Sequence, residues 1–584
     1  MTYNDQREPG AGSREPGAGS REPGAGSLPP DTHLDPRWDT IRSTHRVLAI
    51  ARTRTAANRL IDVLTVFDND QRVDVWFTVI AGSAFADGLD AALRAAGQRV
   101  VAWEQALRTE FQLAISASDK GDLQLIDAPL VMVSHGVGYH RYSIPPNPDA
   151  PTEISGMSST ALGHARTVVV AHPAQLRTLR RVSPAAADRA LVVSDPCLDR
   201  MLASRRLADH YREALDPRDR QLVLLSSTWG EQSLLGRHID LPARLLAELP
   251  TDQYQVAIAL HPNVWARHGA ERLRSWLRLA LDAGLLLIPP EEGWRAALIA
   301  ARAVIADHGS VLCYAAALGK PLLMAADGGP EVVPESPMDL LRRQVPRLRP
   351  DRPLRAQLEQ AMHDHDSDRH TAITSTIFTE PGQSSVQLRD ALYGLMRLDP
   401  PAHRARVRPL PVPTIDRQEP TAFTVHTRIS PSTHPIVVRI ARYPSILDDL
   451  DPPADGAGPR HLLIHHTEPD ERLTQSAAVI FRTKIGPGRT WAAETLARYP
   501  GCRIAGCALA ADRLLIRLRD GLDLHAAIIA GPPSADLALC AAAVYGCFTA
   551  GKDLRELSRL TIEAGTSNVT ISLAVTSIGE QPGP

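Results

Sequence analysis

The sequence predicts an α/β protein in which two Rossmann-like domains face a cleft, followed by a smaller α+β domain. Short apolar runs alternate with amphipathic stretches from about residue 44, and this rhythm restarts near residue 220. A Pro/Arg-rich stretch then precedes a region of different pattern. The expected divisions are a tail at 1–40, an acceptor-side domain at 41–215, a donor domain at 216–400, a linker at 401–419 and an α+β domain at 420–584.

Residues 7–27 are three copies of the heptad REPGAGS. A segment rich in Gly, Pro and charge cannot bury apolar surface, so we expect a disordered tail. Its Gly-Ala-Gly triplets are not phosphate loops, because no strand precedes them and no helix follows.

The first α/β series has the pattern of strands buried on both faces of a parallel sheet. The predicted strands include RVLAIAR (46–52), VDVWFTVI (73–80), QRVVAW (98–103), FQLAIS (111–116) and APLVMVSH (128–135). Amphipathic stretches between them predict the helices of βαβ units.

The second series repeats this organisation. Strands are predicted in RQLVLLSSTW, YQVAIALHP and RAVIAD, a long helix in ERLRSWLRLALDAG, and a closing helix over 384–398. In such a pair of domains, ligands bind beyond the carboxyl ends of the strands.

Composition excludes several classes of function. The 64 Lys and Arg balance 66 Asp and Glu, giving a net charge of −2, and no nucleic-acid-binding module is recognisable. Six cysteines in no CxxC pair indicate a reducing compartment, and no apolar run is long enough to span a bilayer, so a cytoplasmic protein is expected. No GxxxxGK[ST] loop occurs, and no metal site is expected, the cluster at 363–370 included.

Two polar strand ends in the first half of the cleft stand out. In VMVSHGVGYHRY, Gly136 allows close approach of a ligand to the backbone, and His135 can act as a base or bind phosphate. In LLSSTWG, Ser227 and Thr228 supply hydroxyl and N–H groups suited to phosphate oxygens.

Two further strand ends come later in the chain. His261 ends the strand AIALHP, and His308, Gly309 and Ser310 follow a strand and begin a helix. A helix N-terminus with free N–H groups favours a diphosphate, and Ser310 is expected to cap it. Glu331, in the GGPEVVPES loop, is a further candidate binding residue.

The order of these segments resembles the CDP-glycerol glycerophosphotransferase family, the teichoic-acid primases and polymerases, within the wider GT-B glycosyltransferase and UDP-GlcNAc 2-epimerase superfamily. The resemblance spans about residues 125–400. It rests on Ser134-His135-Gly136, Asp195-Pro196-Cys197-Leu198-Asp199-Arg200, Thr228-Trp229, His261-Pro262, and Asp307-His308-Gly309-Ser310 followed by Lys320-Pro321.

The resemblance implies a transferase that uses a nucleotide-diphosphate donor as substrate and needs no metal or other cofactor. His135 would be the general base on an acceptor hydroxyl, while His261, Thr228, Gly309 and Ser310 would hold the diphosphate. The family places a basic residue shortly after its HG motif, where this chain offers only His140 or Arg141.

Two alternatives keep the fold and change the function. A hydrolysing UDP-sugar epimerase would need carboxylates in the cleft, for which Asp307, Glu331 and Glu335 are the candidates. A non-catalytic nucleotide-sugar-binding scaffold or regulator would use residues 420–584 as a surface for a protein partner or a second copy. The acceptor stays open.

Overall fold

The computed structural model describes residues 40–83, 85–143, 153–218, 220–430, 435–450, 459–532 and 535–575. The tail predicted at 1–40 lies, apart from its last residue, outside the described residues.

The first domain is built on a six-stranded parallel sheet with the order β2-β1-β3-β4-β5-β6. Its central strands are buried on both faces, as the continuous apolar runs predict. The strands are β1 (His45–Ala51), β2 (Val73–Val79), β3 (Leu113–Ser116), β4 (Leu130–Val133), β5 (Thr167–Val170) and β6 (Ala190–Val192).

Helices cover both faces of this sheet and continue into the second domain. They are α1 (Arg54–Leu64), α2 (Leu89–Ala95), α3 (Trp103–Ala106), α4 (Ser159–His164), α5 (Pro173–Val182), α6 (Pro184–Asp188), α7 (Pro196–Ser204) and α8 (Ala208–Leu215). The strand predicted at 98–103 does not form: Val100 makes one isolated bridge to Phe77 at the sheet edge, and α3 then begins at Trp103.

The second domain has a five-stranded parallel sheet with the order β11-β10-β7-β8-β9. Both sheets are thus Rossmann-like, and the predicted fold class is confirmed. The strands are β7 (Gln221–Ser227), β8 (Tyr254–Leu260), β9 (Leu286–Ile288), β10 (Ala303–Ala306) and β11 (Leu322–Met324).

The helices of the second domain include one that differs from its prediction. The long helix expected over 271–284 is broken at Leu277, where one helix ends and the next begins. The helices are α9 (Leu234–Arg237), α10 (Leu241–Glu248), α11 (Pro262–His268), α12 (Ala270–Trp276), α13 (Arg278–Asp282), α14 (Trp294–Ala300), α15 (Ser310–Ala317), α16 (Pro337–Gln344), α17 (Leu354–His363), α18 (Thr371–Thr374) and α19 (Ser384–Met396).

The closing helix α19 returns to the first domain. Its Leu388, Leu392 and Tyr393 are buried in the core beneath the first sheet. Its N-terminus is fixed by the carboxylate of Asp199, which accepts the N–H groups of Gly382 (2.5 Å) and Ser384 (2.8 Å). The chain therefore joins the two domains at α7 and again at α19.

A buried network of charges lies between the domains. The Asp62 carboxylate of α1 binds Arg200 of α7 at 2.5 Å and Arg295 of α14 at 2.7 Å. On the same face of α1, Arg59 binds Asp195 at 3.0 Å. Although burial opposes ionisation, the two guanidinium groups lower the pKa of Asp62. These pairs join helices of both domains at fixed positions.

Removing the Asp62 carboxylate tests this network. We expect Asp62→Asn to destabilise the protein by about 3–5 kcal/mol, because the buried Arg200 loses its counter-charge and the buried Arg295 keeps only Glu292. Asp90→Ala, which removes an exposed partner of Arg94, is the control and should change stability by less than about 0.5 kcal/mol. Equal midpoints for the two variants in thermal denaturation would contradict the assignment.

The C-terminal domain is α+β, as predicted, and its sheet closes into a nine-stranded barrel. Helix α22 (Leu537–Thr549) fills the barrel, with Cys540, Ala541, Val544 and Cys547 buried against the strands. The other helices are α20 (Glu471–Ser476) and α21 (Gly488–Arg498). The strands are β12 (Ala422–Ile429), β13 (Ile436–Pro444), β14 (Arg460–His465), β15 (Val479–Arg482), β16 (Ile504–Ala508), β17 (Arg513–Leu518), β18 (Asp523–Ala530), β19 (Arg559–Ala564) and β20 (Ser567–Val575).

The barrel is docked on the second domain through Arg442. This side chain is 2 % exposed and binds Asp252 of the second domain and Asp536 of the barrel, each at 2.6 Å.

Among the residues that the structure describes, no helix is both long and apolar enough to cross a membrane.

Candidate functional site

The carboxyl ends of β7 and β10 meet where the strand order of the second sheet reverses, which is the position where ligands bind in open α/β sheets. Asp307, directly after β10, is buried there. Its Oδ2 accepts the N–H groups of Thr228 and Leu234, both at 2.8 Å, and its Oδ1 accepts that of Gly309 at 3.0 Å. One carboxylate therefore joins the loop after β7 to the start of α15.

The N-terminus of α15 opens toward this point. Gly309 is its N-cap and Ser310 its first residue, so Ser310 does not cap the helix as predicted. No side chain occupies the cap position, and the first N–H groups of a helix lack intrahelical acceptors. A β-carbon on Gly309 would come within 3.1 Å of both Asp307 and Thr228, so glycine permits this close packing.

Ser227 and Thr228 lie at the end of β7 with different surroundings. The Ser227 hydroxyl donates to the carbonyl of Thr228 (3.0 Å) and accepts the N–H of Leu235 (3.1 Å). Ser227 is buried and holds the loop that follows β7. The Thr228 hydroxyl accepts a hydrogen bond from Arg141 of the first domain (3.2 Å) and lies at the domain boundary.

His308 and Glu331 form a pair beside α15. His308 Nε2 lies 3.1 Å from Glu331 Oε2, and its buried Nδ1 has no partner among the described residues. Gly328 packs so tightly on the ring that a β-carbon there would lie 2.3 Å from His308 Cγ. Burial alone would raise the pKa of Glu331. The contacts with His308 and Arg141 outweigh burial and lower this pKa, which favours the carboxylate.

Arg141 crosses from the first domain to the second. Its guanidinium donates to Glu331 Oε2 (2.6 Å) and the Trp229 carbonyl (3.1 Å), and lies 4.6 Å above the centre of the Trp229 ring. Arg141 also makes an antiparallel bridge with Val332. The sequence identified Arg141 only as a substitute for a basic residue after the HG motif, whereas the structure makes it the cation that spans the cleft.

The loop that carries His135 meets the start of α15. A β-carbon on Gly136 would lie 3.1 Å from Ser310 Oγ, so the two loops are in contact across the domain boundary. Burial lowers the pKa of His135, with Asp119 opposing and Arg59 adding to the effect. The imidazole is therefore neutral near pH 7 and can accept a proton.

His261 and His140 complete a group of histidines around Arg141. His261 Nδ1 accepts the N–H of Asn263 (3.1 Å) and caps α11. Burial, with repulsion from nearby cations, lowers the pKa of His261 to about 3 and that of His140 to about 3. Both rings are neutral in the folded protein at pH 7, which leaves Arg141 as the permanent cation in this group.

The structure thus brings most of the predicted residues to one place. The exception among the epimerase carboxylates is Glu335, which is exposed and pairs with Arg343. Within the described part of the chain, no group of three or more His, Cys, Asp or Glu side chains is arranged to hold a metal ion. His365, in the histidine-rich segment, instead binds the carbonyl of Gly319 at 2.9 Å.

The two facing Rossmann-like domains define a GT-B-like architecture, and solved structures of that kind are similar to this chain. The wall teichoic acid polymerase TagF is 12% identical with a TM-score of 0.44, over 61% of this chain and 90% of that one. UDP-GlcNAc 2-epimerase from Neisseria meningitidis is 14% identical with a TM-score of 0.38, over 60% and 99%. A putative UDP-N-acetylglucosamine 2-epimerase from Listeria monocytogenes is 13% identical with a TM-score of 0.40, over 62% and 100%.

No family model and no curated protein matches the sequence. Likeness at this level of identity concerns the fold, and the chemistry is argued from the site itself.

The neutral state of His261 predicts a dependence of stability on pH. Its pKa is lowered from 6.5 to about 3 by folding, so the unfolded chain binds the proton more readily and stability falls as pH falls from about 6.5 toward 3. His261→Asn keeps a capping acceptor and removes this titration. We expect a smaller fall in melting temperature on acidification than in the parent protein, with the exposed His210→Asn as control. Identical profiles for the two variants would contradict the assignment.

Proposed function

We propose that the cleft binds a nucleotide-diphosphate donor and transfers its sugar or polyol-phosphate group to an acceptor hydroxyl without a metal ion. The contact between Gly136 and Ser310 is the observation that carries this proposal. This contact supports the proposal because the loop that carries His135 adjoins the N-terminus of α15 in the other domain. A base for the acceptor and a binding site for the leaving diphosphate are thus adjacent.

The diphosphate is assigned to the N-terminus of α15. N–H groups and the positive end of the helix dipole stabilise phosphate oxygens, and Arg141 adds a full positive charge at the same boundary. Glu331 binds that guanidinium at 2.6 Å. A bound diphosphate would take the guanidinium of Arg141 as its own partner, in bidentate geometry.

His135 is assigned as the general base. It would accept the proton of the acceptor hydroxyl as the oxygen attacks the donor. In polyol-phosphate transfer the new bond forms to phosphorus, and a nucleoside monophosphate leaves. In sugar transfer the bond forms to carbon, and a nucleoside diphosphate leaves. Charge growing on either leaving group is stabilised by the helix N-terminus and Arg141.

The epimerase alternative needs a carboxylate that abstracts a proton. Glu331 stands in the cleft, but its Oε2 already binds both Arg141 and His308. Asp307 is occupied by three backbone N–H groups. These contacts favour the transferase.

Donor turnover tests the proposal. The protein is incubated with CDP-glycerol or UDP-sugars and with glycerol phosphate or N-acetylhexosamine acceptors, with and without EDTA, and the released nucleotide is measured. We expect release that is insensitive to EDTA and falls by about 10²–10⁴ in His135→Ala. The exposed His164→Ala is the matched control and should retain the rate.

Three results would contradict the proposal of a metal-free transferase. Loss of turnover with EDTA would remove the metal-free mechanism. Conversion of the UDP-sugar to its epimer without transfer would establish the epimerase. Saturable donor binding with no turnover across all pairs would establish the scaffold.

A further inference from the structure

A cavity of about 450 Å³ lies in the second domain, apart from the residues of the candidate site. Its walls are the edge strand β11, helix α17 and the turn at 364–370, and its volume is typical of small-molecule sites. Its apolar lining residues include Leu322 and Leu323 of β11 and Ala356 and Ala361 of α17. The cavity therefore has an apolar part large enough for a ring or a short chain.

Positive charge is concentrated at the same cavity. Lys320, Arg347, Arg352 and Arg369 line it, against only Asp364 and Asp366, in a chain whose overall charge is near zero.

The cations differ in their partners. Arg347 pairs with Asp327 at 2.6 Å, while the guanidinium groups of Arg352 and Arg369 have no hydrogen bond or ion pair with any described residue. Lys320 is fixed by hydrogen bonds to the carbonyls of Ile299 (2.7 Å) and Ala301 (2.8 Å). Two free guanidinium groups and one fixed ammonium thus border an apolar pocket.

A buried histidine without a partner lies in the wall. His370 is 7 % exposed, lines the cavity, and has no hydrogen bond at either ring nitrogen within the described residues. A buried polar group without a partner costs free energy, and such groups are rare unless a ligand or water satisfies them. The ring of His370 is thus a third polar group in the wall of this cavity, beside Arg352 and Arg369.

We propose that this cavity binds a small organic anion, with its phosphate or carboxylate on Arg352, Arg369 and His370 and its apolar group between β11 and α17. The site is independent of the nucleotide cleft. Guanidinium groups suit the oxygens of both anions, and the apolar residues in the wall favour an organic anion over an inorganic one.

Calorimetric titration of the full chain tests the proposal with four probes: 1-naphthyl phosphate, 1-naphthoate, inorganic phosphate and uncharged 1-naphthalenemethanol. We expect one saturable site for at least one aromatic anion, at least about tenfold tighter than for the other two probes. The alcohol lacks the charged hydrogen bonds, and inorganic phosphate lacks the apolar ring. Tighter binding of 1-naphthyl phosphate would identify phosphate as the preferred group, and tighter binding of 1-naphthoate would identify carboxylate. Amide hydrogen exchange should slow at residues 353–370 when it binds.

Variants locate the binding. Arg352→Ala combined with Arg369→Ala removes two exposed side chains and should weaken binding at least about tenfold. Arg349→Ala, an exposed arginine beside the cavity that does not line it, should leave binding unchanged. The proposal is overturned if neither aromatic anion saturates, or if the double variant binds like Arg349→Ala.

Discussion

The candidate site depends on the carboxylate of Asp307. Its two oxygens accept the N–H groups of Thr228 and Leu234, which lie more than seventy residues earlier in the chain, and that of the neighbouring Gly309. Burial raises the pKa of Asp307, opposed by His308 and by these three hydrogen bonds. Without an acceptor at this position, the loop after β7 and the N-terminus of α15 would both leave buried N–H groups unsatisfied.

Two sets of charges then fix the domains relative to each other. Behind the cleft, Asp62 and its arginines join α1, α7 and α14. At the cleft, Arg141 and Glu331 join the first domain to the loop after β11. The first set is buried, and breaking it leaves uncompensated charge in the interior. The second is partly exposed, so its guanidinium can exchange one anion for another at lower cost. The buried contacts that fix the domains and the contact that we propose exchanges with a ligand are therefore separate.

The sequence predicts the parts of this fold that depend on local pattern. Buried strands such as β1 and β8 appear as continuous apolar runs, and polar residues at their ends mark the cleft. Long-range pairings leave no such pattern. The barrel closes through parallel contacts such as those of β13 with β19, more than a hundred residues apart. The role of Asp307 depends on Leu234, which looks like an ordinary core residue, and Arg141 gains its importance only from Glu331 across the cleft.

Binding of a diphosphate at the start of α15 is the central claim, and amide hydrogen exchange measured with and without CDP, UDP, GDP and ADP tests it most directly. We expect at least one nucleotide to slow exchange at 308–312 and at 135–142 together, because one ligand would contact both sides of the boundary. Exchange unchanged in both segments at saturating concentrations of all four nucleotides would contradict it.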